Sequence, residues 1–367
     1  MFTRTDDKLT TTQTSIFLTD SLLGAGILTM PRSVVIATGT PDAWISILLG
    51  GFIVILLALV MVKLSQQFPN LTVFQYAGKI IGKPLAFVLN LLLIVYFIVI
   101  AGYEMRVLAE VTMFFLLEGT PRWIIIMPFI WISGYLLTGG INAIARLFQL
   151  IFPISLFVLI VSFLLSMRIF QLDNLRPFLG DGLLPVMEGL KSTVLVFAGF
   201  EVLMFLVAHM QHPERAVKAM VAGFGIPLVL YFVTVIVVIG GMSMEAVMLS
   251  TWPTIDLLRS FEVAGLFFER LEFPFLVIWM MQLFCNFTCY YYSASLGISQ
   301  LLKFKQHMVS FGLMPIIYIS GVMPQRINDV FSVGEYVGWV GLILFFLIPL
   351  PLSIVWLIRT KGLKQHV

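Results

Sequence analysis

The residues best able to do chemistry in this chain are two carboxylates set in apolar surroundings. Asp20 precedes the run Leu23-Gly24-Ala25-Gly26-Ile27-Leu28-Thr29-Met30-Pro31, and Glu201 closes the run Phe197-Ala198-Gly199-Phe200-Glu201. An acid inside an apolar segment is costly and marks an ion path or a ligand contact by default, so both are candidates for ion contact or gating; the alternatives are a structural hydrogen bond from Glu201 to loose backbone ends and a protonated, helix-bridging Asp20. Gln282, Asn286, Tyr290, Ser293, Gly297 and Gln300 recur at helical spacing, a stripe that should avoid lipid. Within it Asn286 is the candidate side-chain contact to a ligand, because an amide both donates and accepts. Ser293, with Ser295, could supply hydroxyl ligands to sodium. Tyr96, Ile100 and Tyr103 share one helix face; Tyr96 is expected to cover a ligand and Tyr103 to lie at the outer boundary. Glu104, Arg106 and Glu110 read as interface structure, with Arg106 and Glu110 spaced for an ion pair.

Other chemistry is not legible. There is no Ser-His-Asp arrangement, phosphate loop or metal-binding run, so no catalytic residue, cofactor or metal is expected and the chain does not read as an enzyme. His209 and His212 lack the further ligands a metal would need. Cys285 and Cys289 share a helix face without a second pair.

The elements that hold these residues must be membrane helices. Of 367 residues 60% are hydrophobic and 11% charged, with a mean hydropathy of +1.03. A globular chain averages about 45–50% apolar and about 25% charged, so a soluble enzyme is excluded. The net charge of +3 is too slight and dispersed for a nucleic-acid surface. Ten segments are apolar and long enough to cross a bilayer, at residues 13–37, 43–66, 85–105, 122–140, 147–169, 184–208, 218–243, 272–301, 307–323 and 335–358. They predict an all-α integral membrane protein, a single domain over 1–367. Lysine is confined to loops on the amino-terminal side apart from Lys191 inside a span, which predicts cytoplasmic termini. Residues 244–271 mix charges with Leu257, Leu258, Phe261, Leu266 and Phe267 and predict a helix lying at the outer interface.

Two spans carry interruptions. Gly24 and Gly26 weaken the first, where Pro31 also removes a donor, and Gly199 weakens the sixth. Five spans precede the second interruption, so matching helices of the two halves enter from opposite sides. That is a five-plus-five inverted repeat, 13–169 and 184–358, with broken first and sixth helices. Such breaks set amide ends beside an anion and free carbonyls beside a cation, which suits a zwitterion such as an amino acid. Glycines in membrane helices also serve close packing, but two at matching positions favour the functional reading.

Leu23-Gly24-Ala25-Gly26-Ile27-Leu28-Thr29-Met30-Pro31-Arg32, Asn174-Leu175-Arg176-Pro177, Gly199-Phe200-Glu201, and Trp252-Pro253-Thr254 with Ser260-Phe261-Glu262 resemble the B subunit of the spore nutrient germinant receptors, within the amino acid/polyamine/organocation superfamily. The resemblance covers essentially the whole chain. It implies a germinant bound between the first, third, sixth and eighth spans, with Gly24, Ala25 and Gly26 presenting amides to a carboxylate. Phe197, Ala198 and Gly199 would then present carbonyls to an ammonium group. It further implies residence in the spore inner membrane with an A subunit and a lipoprotein C subunit. The function so implied is nutrient sensing that starts germination; the alternative on the same fold is an amino-acid permease working by alternating access.

Overall fold

Lipid offers backbone polar groups no partner, so apolar runs of crossing length must satisfy their own hydrogen bonds as helices. The structure, a computed structural model, describes residues 7–260 and 272–364. In chain order its helices are α1 (Thr11–Leu22), α2 (Gly26–Thr38), α3 (Ala43–Gln66), α4 (Val73–Ile81), α5 (Lys83–Phe115), α6 (Arg122–Thr138), α7 (Gly140–Ser166), α8 (Leu184–Val196), α9 (Leu203–Leu206), α10 (Ala216–Met242), α11 (Met244–Leu249), α12 (Pro253–Arg259), α13 (Glu272–Leu302), α14 (Gln306–Val322), α15 (Ile327–Leu347) and α16 (Pro349–Lys364).

Six spans are long and apolar enough to cross alone, the last formed by α15 running into α16, and α1 with α2 makes a seventh bent by 54°. The other three are α6 and α14, of 17 residues each, and the interrupted pair α8 and α9. Together they make the ten crossings expected, among the described residues. The two interrupted spans run in opposite directions. Leu9, just before α1, forms a parallel bridge with Met210, just after the sixth span. The Leu9 amide donates to the His209 carbonyl at 2.6 Å, and the Gln211 amide to that of Leu9 at 2.8 Å. The start of one broken span and the end of the other are thus sewn together on one face of the molecule.

Four local features differ from the sequence reading, each for a physical reason. Pro31 does not break its span: the chain leaves helical geometry at Leu23 to Ala25, and α2 continues through the proline. The carbonyl that Pro31 cannot serve, that of Ile27, accepts instead from Thr254 Oγ1 at 2.7 Å. The carbonyl of Gly223, four before Pro227 in α10, is likewise served by Thr19 Oγ1 at 2.9 Å. The third span runs well past its expected end at residue 105, to Phe115. The segment 244–260 is two short helices rather than one interfacial helix, and in α12 Pro253, Thr254, Ile255, Leu257 and Leu258 are buried in the protein. Residues 261–271 of that expected interfacial helix lie outside the described residues. Finally, α4 is an amphipathic helix between the second and third spans. Its N-terminus is closed by a Thr72–Gln75 capping box, it buries Val73, Phe74, Tyr76, Ala77 and Ile80, and the Thr72 hydroxyl donates to Gln300 of α13.

Candidate functional site

The break in the first span leaves backbone groups without helical partners, and nearby side chains take up several of them. Asn286 Nδ2 donates to the Ser21 carbonyl at 2.7 Å, Gln282 Nε2 to that of Leu23 at 3.2 Å, and the Tyr231 hydroxyl to that of Leu22. At the start of α2 the Ala25 amide donates to Glu104 Oε2 at 3.2 Å. The sixth span is interrupted at Phe197 to Gly199, where Gly199 adopts φ +120°. A side chain there would collide with the Ser21 carbonyl oxygen, so the position requires glycine both for its dihedral and for the approach of the first span. The two breaks touch directly: Ser21 Oγ donates to the Gly199 carbonyl at 3.1 Å.

From the breaks a cavity of about 590 Å³ opens toward the face opposite the Leu9–Met210 bridge, a volume suited to a small molecule. Its floor includes Gly24, Ala25, Gly26, Ile100, Glu104, Ala198, Asn286 and Tyr290. Its mouth carries Arg32, Glu188, Lys191 and Glu335, two charges of each sign. Arg32 Nε donates to the Met248 carbonyl at 3.1 Å, and the Lys191 ammonium lies 5.9 Å from the Trp339 ring centroid. The walls therefore come from the first, third, sixth, eighth and tenth spans.

Comparison with known proteins places this arrangement. Residues 8–330 match the model of a family described as spore germination protein. The chain belongs to the spore germination protein family. It is 46% identical over 364 residues to Spore germination protein YndE of Bacillus subtilis strain 168, covering 99% of this chain and all of that one. It is 37% identical to Spore germination protein A2 of the same organism, over 93% of each chain. In fold it is similar to MhsT, solved in complex with L-phenylalanine, with a TM-score of 0.69, 12% identity and coverage of 94% of this chain and 97% of that one. A spore germination protein of this sequence thus shares its fold with MhsT over nearly the whole chain.

Within this family member the expected site residues separate into two groups. Gly24, Ala25, Gly26, Ile100, Ala198 and Asn286 share the cavity lining. Phe197 does not: it is fully buried, stacked on Phe224 at 5.0 Å and edge-on to Tyr231 at 5.3 Å. Gly199 is enclosed by the first span. Tyr96, 3% exposed, lies behind the floor, where its hydroxyl donates to Glu201 Oε1 at 3.2 Å. The other oxygen of Glu201 accepts from the Gly199 amide at 2.7 Å, so this acid clamps the break in its own span. Asp20 is buried against α13, with Oδ1 accepting from Gln282 Nε2 at 2.9 Å. Ser293 is buried and donates to the Cys289 carbonyl of its own helix at 2.7 Å.

Glu104 and Tyr103 line the cavity, although the sequence reading set both at the outer end of the third span. The signal was present: Glu104 extends the series Tyr96, Ile100 by a further helical turn, on the same face. It was hidden because the apolar run ends near Glu104 while the helix continues to Phe115. The Arg106–Glu110 pair forms as spaced, at 2.9 Å.

Proposed function

We propose that this chain is the membrane-embedded nutrient-sensing subunit of a germinant receptor, and that its cavity binds an amino acid or a similarly small nutrient. The observation that supports this best is the cavity floor, where the breaks of the first and sixth spans meet at Gly24–Gly26 and Ala198 beside Asn286. Bare backbone at that depth is tolerated where it lines a cavity, and the unpartnered Asn286 Oδ1 supplies an acceptor for an ammonium group. Ile100 and Tyr290 supply the apolar wall that a small side chain needs. Membership in the spore germination family supports a signalling role, in which ligand binding shifts the protein between two conformations because it binds one of them better. The signal passes to an A subunit and a lipoprotein C subunit in the spore inner membrane, with cytoplasmic termini and the cavity mouth on the outer side.

The transporter architecture supports a second reading, amino-acid permeation by alternating access. Both are tested on the purified full-length chain in nanodiscs against the standard L-amino acids. A ligand that binds the native state raises the unfolding temperature. At Gly24 an added Cβ would stand 2.8 Å from Asn286 Cγ and Oδ1, so Gly24→Leu should remain folded and lose the response. If no amino acid stabilises the wild-type chain, the nutrient-site reading fails. Gradient-driven accumulation of the bound amino acid in proteoliposomes would favour the permease over the sensor.

A further inference from the structure

One contact on the cavity floor competes with the ligand just proposed. Ala25 is the N-cap of α2, so its amide stands at the positive end of a half-helix, where a ligand carboxylate would be drawn. That amide is already engaged by Glu104 Oε2 at 3.2 Å, and Glu104 is only 6% exposed. Asn286, 1% exposed on the same floor, has an Oδ1 with no partner. The floor therefore holds a buried amide oxygen without a partner, beside Gly24, and an occupied donor where a ligand's anionic end would be drawn. A ligand carboxylate arriving at the amide meets the Glu104 carboxyl already there, and one N–H does not serve both acceptors.

We infer that Glu104 is a built-in competitor for the carboxylate subsite: it holds the Ala25 amide in the empty cavity, and a carboxylate-bearing amine binds by displacing it. Glu104 is thus a specificity-determining residue, since a ligand without a carboxylate leaves the contact in place. The exchange also reaches beyond the cavity. The Glu104–Ala25 bond ties α5 to the first span, and α5 packs along α13, α14 and α15, so its release is felt by the elements on the far side of the third span.

This inference rests on the proposed nutrient site, and its test separates the two. The full-length chain and Glu104→Gln are titrated in nanodiscs with L-amino acids and with the amines left by their decarboxylation, binding being read as the concentration-dependent rise in unfolding temperature. A neutral amide acceptor holds the Ala25 N–H less strongly than a carboxylate does. Each amino acid that stabilises the wild type should therefore bind Glu104→Gln about tenfold tighter, with no gain for its amine. Weaker binding of both would mean that Glu104 grips the ligand's ammonium group and would overturn the inference; so would unchanged affinity. Should Glu104→Gln not fold, Glu104→Asp, which keeps the carboxyl group but shortens its reach, should show the same tightening. A wild type that binds while neither variant binds tighter defeats the competitor alone. If no amino acid stabilises any form, the nutrient site fails and the competitor with it.

Discussion

Glu201 shows how a charged side chain can be indispensable to a site that it does not enter. Its two oxygens engage the Gly199 amide at 2.7 Å and the Tyr96 hydroxyl at 3.2 Å, and none of the residue is exposed. Replacing it with alanine leaves an amide and a hydroxyl unpaired in a buried place, at a cost of about 1–3 kcal/mol for each. Glu201→Ala is therefore expected to unfold at markedly lower temperature, while Glu201→Gln, which can still accept from one partner, recovers part of the loss. Equal unfolding temperatures for wild type and Glu201→Ala would show that the break needs no clamp. Gly199→Ala should be worse than either, because the new methyl meets the Ser21 backbone and not a movable side chain; the expected readout is failure to yield folded, monodisperse protein. Sequence alone marked Glu201 as exceptional, because a lone acid in an apolar run is visible. It could not name the partners of the clamp, since the Gly199 amide is freed only by the break in its own span and Tyr96 is brought to the acid only by the packing of the third span against the sixth.

At the level of elements, two proline-bearing helices persist because hydroxyls from other elements complete their hydrogen bonding. Thr254 of α12 serves the Ile27 carbonyl that Pro31 leaves free, and Thr19 of α1 serves the Gly223 carbonyl freed by Pro227. The first bond also anchors the 244–260 segment onto α2 beside the cavity. Thr254→Val keeps the shape and removes the donor, so the Ile27 carbonyl is left buried and unpaired; a loss of about 1–3 kcal/mol is expected. Hydrogen exchange should rise in α12 along with it, and an unaltered exchange pattern would refute the anchoring role. The spans themselves were legible in the sequence because crossing length and apolarity are properties of a single segment. The glycines at Gly24 and Gly199 were legible for a related reason, as local weaknesses in otherwise strong helices. What escaped was everything settled between segments: that α2 survives Pro31, that α12 turns inward, and that α4 docks on α13 through Thr72 and Gln300.

Across the whole molecule, access is asymmetric. Among the described residues the cavity opens away from Leu9 and Met210, whose bridge ties the chain together on the opposite side of the breaks. Lys8 reinforces the closure, its ammonium donating to Asn70 Oδ1 at 2.5 Å and to the Ala208 carbonyl at 3.0 Å. The lock is a single bridge between Leu9 and Met210 with its flanking bonds, too short to leave a periodic signal in the sequence. Alternating access would have to break it, whereas sensing through the cavity would not. A Leu9→Cys, Met210→Cys double variant is suited to the distinction, because the native Cys285 and Cys289 are fully buried within α13 and out of reach of an external oxidant. Once oxidised, this chain should keep the thermal response to any amino acid that stabilises the wild type, because the cavity mouth is on the other face. It should accumulate no labelled amino acid in proteoliposomes, even if the reduced form does. Uptake that persists in the oxidised chain would mean that the way through lies elsewhere; loss of the thermal response would mean that the floor of the cavity and the lock move as one body.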